Sequence, residues 1–315
     1  MAKILRNIFG ALFFFVAVFG AGDSRLLSQN VTGELLASQA QQNTDSAPTF
    51  DVVSIHPDTK LGKFTPPNFD LTPGDHWSHN GNLFIADLPL TAYIGFAYNL
   101  WFSPQQLEAM VAHQPAWISH DNMAIATQAS GEPTKDQVRL MMRSMLSDRF
   151  KLVVHFEPVI QPVFELRLRQ PGKLGPNLRE DEFPCDALRP GTGQRTDADF
   201  QSLLPSDCGL YRVFPMTNHM RLLSARKITM PLIASFLSAY AKVDIPIVDQ
   251  TGLPGTYDFA LQWGAQDLAP PTEDGPNPGP TFSDSIEQQL GLRLIRSKVP
   301  LSTLVIDHVQ LPSAN

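Results

Sequence analysis

Asp75-His76-Trp77-Ser78-His79 is the string in this sequence whose residue types come nearest to chemistry. Two histidines three apart beside a carboxylate hold zinc when a third ligand arrives from a distance, and His56 is the candidate for that place. The set would make a metal-assisted hydrolase. The competing reading is a polar surface loop, the commoner fate of a loop histidine pair. That reading is adopted: no catalytic, cofactor-binding or metal site is assigned, and His76, His79, Asp75 and His56 stand only as metal candidates. His113, His120, His155, His219 and His308 are scattered without a ligand spacing.

Other strings carry weaker signals. Arg139 and Arg143, four apart on an expected helix, either grip an anion or form the solvated face opposite an apolar stripe. Asp249-Gln250-Thr251-Gly252 has the look of an aspartic-protease string, but that chemistry needs a second carboxylate sharing a proton. No matching Asp-Thr-Gly lies earlier, so the string reads as turn chemistry. The run Glu180, Asp181, Glu182 reads as solvated loop, without a calcium-loop spacing. No Gly-x-Ser-x-Gly elbow, phosphate-cradling loop or dinucleotide fingerprint is present.

The elements that must position these residues follow from periodicity. The 315 residues, 43% of them hydrophobic, are enough for two domains with cores. Lys3 and Arg6 precede the uncharged run Ile8 to Ala21, and Gly20, Ala21 and Gly22 follow as small residues. This is the layout of a secretory signal over 1–22, too short for the ~20 apolar residues of a membrane span. Residues 23–49 are a polar lead-in. Export implies a periplasmic or extracellular protein with no membrane span after signal cleavage. The net charge of −7 argues against nucleic acid as a partner.

The expected architecture is α+β, built from two tandem copies, residues 50–169 and 219–315, of a strand-helix-strand-helix-hairpin unit. In the first copy, strands are expected at Phe50–Ile55, Leu83–Ile85, Val111–Trp117 and Asn122–Thr127, with helices at about Leu90–Leu100 and after Thr134. The second helix carries the stripe Val138, Met142, Met145 and Leu146, read as core. Lys151–Phe156 and Val163–Arg169 are expected to form a hairpin around Pro158–Pro162. In the second copy, strands are expected at Met220–Ala225, Ile245–Val248 and Tyr257–Trp263, with a helix from Thr229 to Tyr240. Ser283 or Asp284 caps a last helix, and Leu292–Ile295 pairs with Leu301–Val309 in a closing hairpin. Leu88, Leu90 and Phe96 fall opposite Ile228, Met230 and Phe236. Likewise Met123 and Ile125 fall opposite Tyr257 and Phe259, and Phe150 and Leu152 opposite Leu292 and Leu294.

Between the copies, 170–218 is an irregular insertion holding Cys185 and Cys208. An isolated even pair in an exported chain is most simply a disulfide, contributing about 3 kcal/mol in the chain-entropy model.

The strings FDVVSIHP, LSDRFKLVVHFE, PIVDQTGLPGTYDFALQW and QQLGLRLIRSKVPLSTLVIDHVQLPSAN resemble the acidobacterial soil-associated family of exported proteins, a domain of unknown function, over about Phe50 to Asn315. The resemblance supplies no catalytic residue. Relatives that carry this domain on membrane sensor-type metallopeptidases imply sensing or binding in the envelope, although this chain has no His-Glu-x-x-His. The order of elements is also similar to the short N-terminal domain of secretins and TonB-dependent receptors, which implies docking. The resulting expectation is a non-catalytic envelope module that binds a protein, peptide or glycan, with the metal-assisted hydrolase as the alternative.

Overall fold

The computed structural model describes residues 47–58, 66–181, 200–216, 220–240, 243–264 and 279–312, all within the unit Ala47–Asn315. The expected signal, the lead-in up to Ser46, Cys185 and most of the loop Gly264–Pro280 lie outside the described residues.

The first sheet grows from three short strands, β1 (Val52–Asp58), β2 (Leu83–Pro89) and β3 (Asn122–Gln128), in the order β1-β3-β2 and antiparallel throughout. Alternation along β3 buries Met123, Ile125 and Thr127. β1 does not stop at His56-Pro57 as expected. It runs on to Asp58 with Pro57 opposite Met123, because an edge strand can turn a proline to its unpaired side.

Helix α1 (Leu90–Ala97) opens directly after Pro89 and stops before Asn99, which takes the left-handed conformation at φ 54. The expected strand at Val111–Trp117 is not formed. Val111 ends helix α2 (Pro104–Val111), Trp117 opens the single turn α3 (Trp117–His120), and the residues between them form a turn. Ser103 and Gln106 make a reciprocal capping box with Pro104 in the first turn, a start signal strong enough to override the apolar run that followed. Helix α4 (Lys135–Phe150) is capped by Thr134 and Gln137 in the same manner. Its stripe of Val138, Met142, Met145 and Leu146 is core, each side chain contributing about 2 kcal/mol by leaving water.

The largest departure is a ribbon. β4 (Val153–Leu168) and β10 (Leu292–His308) are single strands of 16 and 17 residues that pair antiparallel along their length. Both expected hairpins are replaced by this one ladder. Neither Pro158 and Pro162 nor Pro300 breaks its strand. A three-residue strand, β8 (Ile247–Asp249), lies parallel to β4 at Phe164–Leu166.

A four-stranded sheet completes the fold: β5 (Leu178–Glu180), β9 (Tyr257–Gly264), β7 (Met220–Ile228) and β6 (Tyr211–Pro215), in that spatial order. β5 and β6 come from the segment expected to be an irregular insertion, and they form both edges of the sheet. Helix α5 (Met230–Tyr240) follows β7, and Phe282–Ser285 (α6) runs into a wider π turn over Ile286–Leu290. The cap of α6 is Thr281, whose hydroxyl accepts from the Asp284 N–H, rather than Ser283 or Asp284.

Two cores result. One gathers Phe84, Tyr93, Phe96, Met142 and Phe150, and the other Phe236, Phe259, Leu261 and Leu290. The ribbon belongs to both. β10 sends Leu304 and Ile306 into the first core and Leu292 into the second, while β4 sends Leu166 into the second. Helices and sheets are mixed, and the class is α+β.

Candidate functional site

The histidine loop folds onto α4, but not as a metal centre. Asp70 accepts the N–H and hydroxyl of Thr72 at 2.9 and 2.5 Å, and its other oxygen meets His76 Nδ1 at 2.8 Å and Lys135 Nζ at 3.5 Å. Lys135 also donates to the His76 carbonyl at 2.8 Å. Burial alone pushes the Asp70 carboxyl up; the bonds from Thr72 and His76, with the Lys135 charge, outweigh it and hold the group below the usual carboxylate value. Lys135, 5% exposed, is pulled down to about 8 by burial, against the opposing pull of Asp70.

The other candidates are dispersed. His79 Nδ1 sits 2.6 Å from the Gly81 carbonyl with its ring against Trp77, His56 Nε2 lies 3.0 Å from the Ser54 hydroxyl, and Asp75 is exposed. No group of three His, Cys, Asp or Glu side chains placed to hold a metal occurs among the described residues. Asp70 and Lys135 were not singled out in the sequence. Asp70-Leu71-Thr72 has the spacing of Asp249-Gln250-Thr251, where Asp249 likewise accepts the N–H and hydroxyl of Thr251. The second string is therefore a turn, as read, and the same turn earlier in the chain carries the carboxylate of the Asp70, His76 and Lys135 cluster.

Arg139 and Arg143 fit neither expectation. They continue the stripe begun by Lys135 and turn inward. Arg139 donates to the Gly74 carbonyl at 3.0 Å and to Asp136 at 2.7 Å, while Arg143 donates to the Ala97 carbonyl at the end of α1 at 2.6 Å and lies over the Tyr98 ring. The stripe braces the loop and the C-terminus of α1. Asp181 is buried and its N–H donates to Thr256, so the expected solvated acidic loop is corrected there; Glu180 lies in β5, and Glu182 is outside the described residues.

Lys135 makes stability depend on pH. Its folded value of about 8 lies below the ~10.4 of an unfolded lysine, so between them the unfolded chain binds more protons and stability rises with pH. The buried tyrosines, raised chiefly by burial, reverse the slope above pH ~10 because the folded chain then keeps more protons. Urea unfolding is expected to show stability rising by about 1–2 kcal/mol from pH 7.5 to 9.5. Lys135→Met flattens that rise.

The second candidate surface is the ribbon. Phe164 donates its N–H to Pro246 and Leu166 accepts from Gln250, both toward β8, whereas Arg169 donates to Gly291 on the β10 side. Even-numbered residues of β4 thus turn their N–H and C=O away from β10. Even pairs with even in the register, as in Arg296 with Phe164 and Pro300 with Ile160, so even residues of β10 also face outward. Pro158, Pro162 and Pro300 all occupy outward positions and remove no ladder bond. Their presence inside continuous strands is thereby explained.

At the β5 end of the ribbon, a pocket of about 180 Å³ is lined by Arg169, Lys173, Glu287, Gly175 and Gly291. The backbone crossing beneath it is tight: Gly175 donates to the Leu290 carbonyl at 2.9 Å.

A family model described as a protein of unknown function (DUF3738) matches residues 91–309, from the start of α1 to just past β10. The chain belongs to that family. The DUF3738 segment contains α4, the second core and the whole ribbon, and leaves out β1, β2 with Phe84 of the first core, Asp70 and His76. It is shorter than the span over which the sequence strings show their resemblance. No match was found among curated proteins or solved structures. No helix among the described residues is long and apolar enough to cross a membrane.

Proposed function

We propose that this chain is an exported, non-catalytic binding module of the cell envelope, and that its docking surface is the β4–β10 ribbon. One observation carries the reading: a two-stranded ladder whose outer edges lack a partner strand over most of their length among the described residues. An unpaired row of backbone donors and acceptors is the feature that strand-adding partners recognise. A protein segment fits such an edge better than a glycan, because it supplies the complementary main chain. The leader-like run Ile8–Ala21 supports export, and the likeness to acidobacterial exported proteins and to the secretin and TonB short N-terminal domain supports docking. The metal-assisted hydrolase has no comparable support, since His56, Asp75, His76 and His79 do not converge.

The test is site-specific photo-crosslinking in the organism that makes the protein. Benzoylphenylalanine at Ile160 or Arg296 is expected to give one defined adduct that is absent when it replaces exposed Glu108 or Asp148. No adduct, or equal adducts at all four, overturns the reading.

The module is also proposed to be a duplication. Leu88 pairs with Met123 as Ile228 pairs with Tyr257, and each first member stands two residues before a helix start. The helices before the ribbon strands end on Lys151 and Gly291, both left-handed. That cap places Phe150 opposite Leu290, two residues from the alignment drawn from the sequence.

Cys208 is not a free thiol, while Cys185 lies outside the described residues. A Cys185–Cys208 bond is proposed, in keeping with an oxidising compartment. Intact mass two hydrogens below the reduced chain, and a loss of about 3 kcal/mol on reduction, are expected.

A further inference from the structure

We infer that the occupant of the ribbon is an extended acidic polypeptide segment, paired as an added strand along Leu294–Lys298 of β10; this rests on the reading of the ribbon as the docking surface. Counting outward donors locates the site. On β4, Phe164 is taken by Pro246, and Pro158 and Pro162 have no N–H, so Ile160 is left isolated between prolines. On β10, Pro300 interrupts the row, and beyond it the Ile306 carbonyl is taken by the Gln114 side chain of the segment after α2. Shorter outward pairs remain at Val154 with Phe156 and Ser302 with Leu304, and the longest uninterrupted outward row is Leu292, Leu294, Arg296 and Lys298, of which Leu292 is buried in the second core; no second strand lies against it among the described residues.

Charge selects the partner. Arg293, Arg296 and Lys298 are exposed within six residues, and none has an ion-pair partner among the described residues. On a chain of net charge −7, Arg296 and Lys298, two apart on one face of that edge, with Arg293 on the opposite face, suit an extended segment carrying Asp or Glu at alternate positions. Edge cations also discourage association between identical strands, so they turn away a second copy of this strip while attracting its electrostatic complement.

The parity of the ribbon supplies the decisive variant. Arg296→Pro removes an outward donor and leaves the β4 ladder whole, as the three natural prolines do, whereas Arg296→Gln removes the charge and keeps the donor. A fluorescein-labelled peptide of alternating Glu and Val, about ten residues long, is titrated into the mature chain alongside its Lys and Val counterpart. Saturable binding of the acidic peptide alone is expected. Arg296→Gln weakens it about threefold, with reduced salt dependence, and Arg296→Pro by about tenfold or more. Circular dichroism checks that both variants keep the fold.

Equal losses in the two variants mean a point charge without strand pairing and overturn the inference. So does equal binding of the basic peptide, or preferential binding of an acidic polysaccharide such as polygalacturonate. If the acidic peptide does not bind while photo-adducts at Ile160 and Arg296 persist, the inference fails and the docking reading stands. Loss of both removes both.

Discussion

Asp70→Ala is expected to destabilise the protein by about 3–5 kcal/mol, with urea unfolding followed by far-ultraviolet circular dichroism as the measurement. The loss is large because the substitution strands a buried cation. Lys135 is 5% exposed and Asp70 lies 3.5 Å from its ammonium, so removing the carboxylate leaves a charge whose hydrogen bond among the described residues is to the His76 carbonyl, with only the more distant charge of exposed Asp75 to offset it. Thr72 and His76 lose their acceptor in the same step. Lys135→Met is expected to rescue part of the loss in the Asp70→Ala background, since it removes the stranded charge and keeps the aliphatic stem. A cost below 1 kcal/mol for Asp70→Ala would show that water reaches the cluster freely and that it does not tie the loop to α4. Below pH ~4 the wild-type chain also loses stability through this group, because a carboxyl with a lowered folded value must then be protonated.

Gly175→Ala is the second large effect, a loss of about 3 kcal/mol or a failure to accumulate folded protein. A β-carbon there would lie 2.4 Å from the Gln289 carbonyl oxygen and 2.5 Å from the Gly291 nitrogen. Both are backbone atoms that no rotamer change can move. Gly172 supplies the contrast: at φ +70 nothing stands within 4 Å of its missing β-carbon, so Gly172→Ala tests conformation alone and is expected to cost about 1 kcal/mol. Gly291 combines the two, left-handed at φ +69 and with the place of its missing β-carbon 2.5 Å from the Gly175 nitrogen. Thermal unfolding of the three alanine variants orders them Gly172 well above Gly175 and Gly291. A Gly175 variant as stable as Gly172→Ala would mean that the crossing of residues 174–175 over the π turn relaxes easily.

The sequence by itself determined the elements whose signals are local. The capping box at Thr134 and the stripe Val138, Met142, Met145 and Leu146 specify α4, because a helix closes its hydrogen bonds within a few residues and shows its apolar face at a fixed period. The alternation of Tyr257–Trp263 did the same for β9, and Asp249-x-Thr251 for its turn. The capping box at Ser103 was equally legible, though the apolar run after it suggested a strand.

Tertiary structure alone decided the rest. Pro158, Pro162 and Pro300 read as hairpin breaks because a proline's cost depends on which side its absent N–H would face, and that side is set by β10 pairing with β4 more than a hundred residues away. Asp70, His76 and Lys135 are likewise brought together by the docking of a loop on a helix some 60 residues later, which no spacing in the chain encodes. Local periodicity reports which face of an element is apolar. The partner each face or edge meets is chosen by the packing of the whole chain, and here that choice left the outer edge of β10 without a partner strand among the described residues.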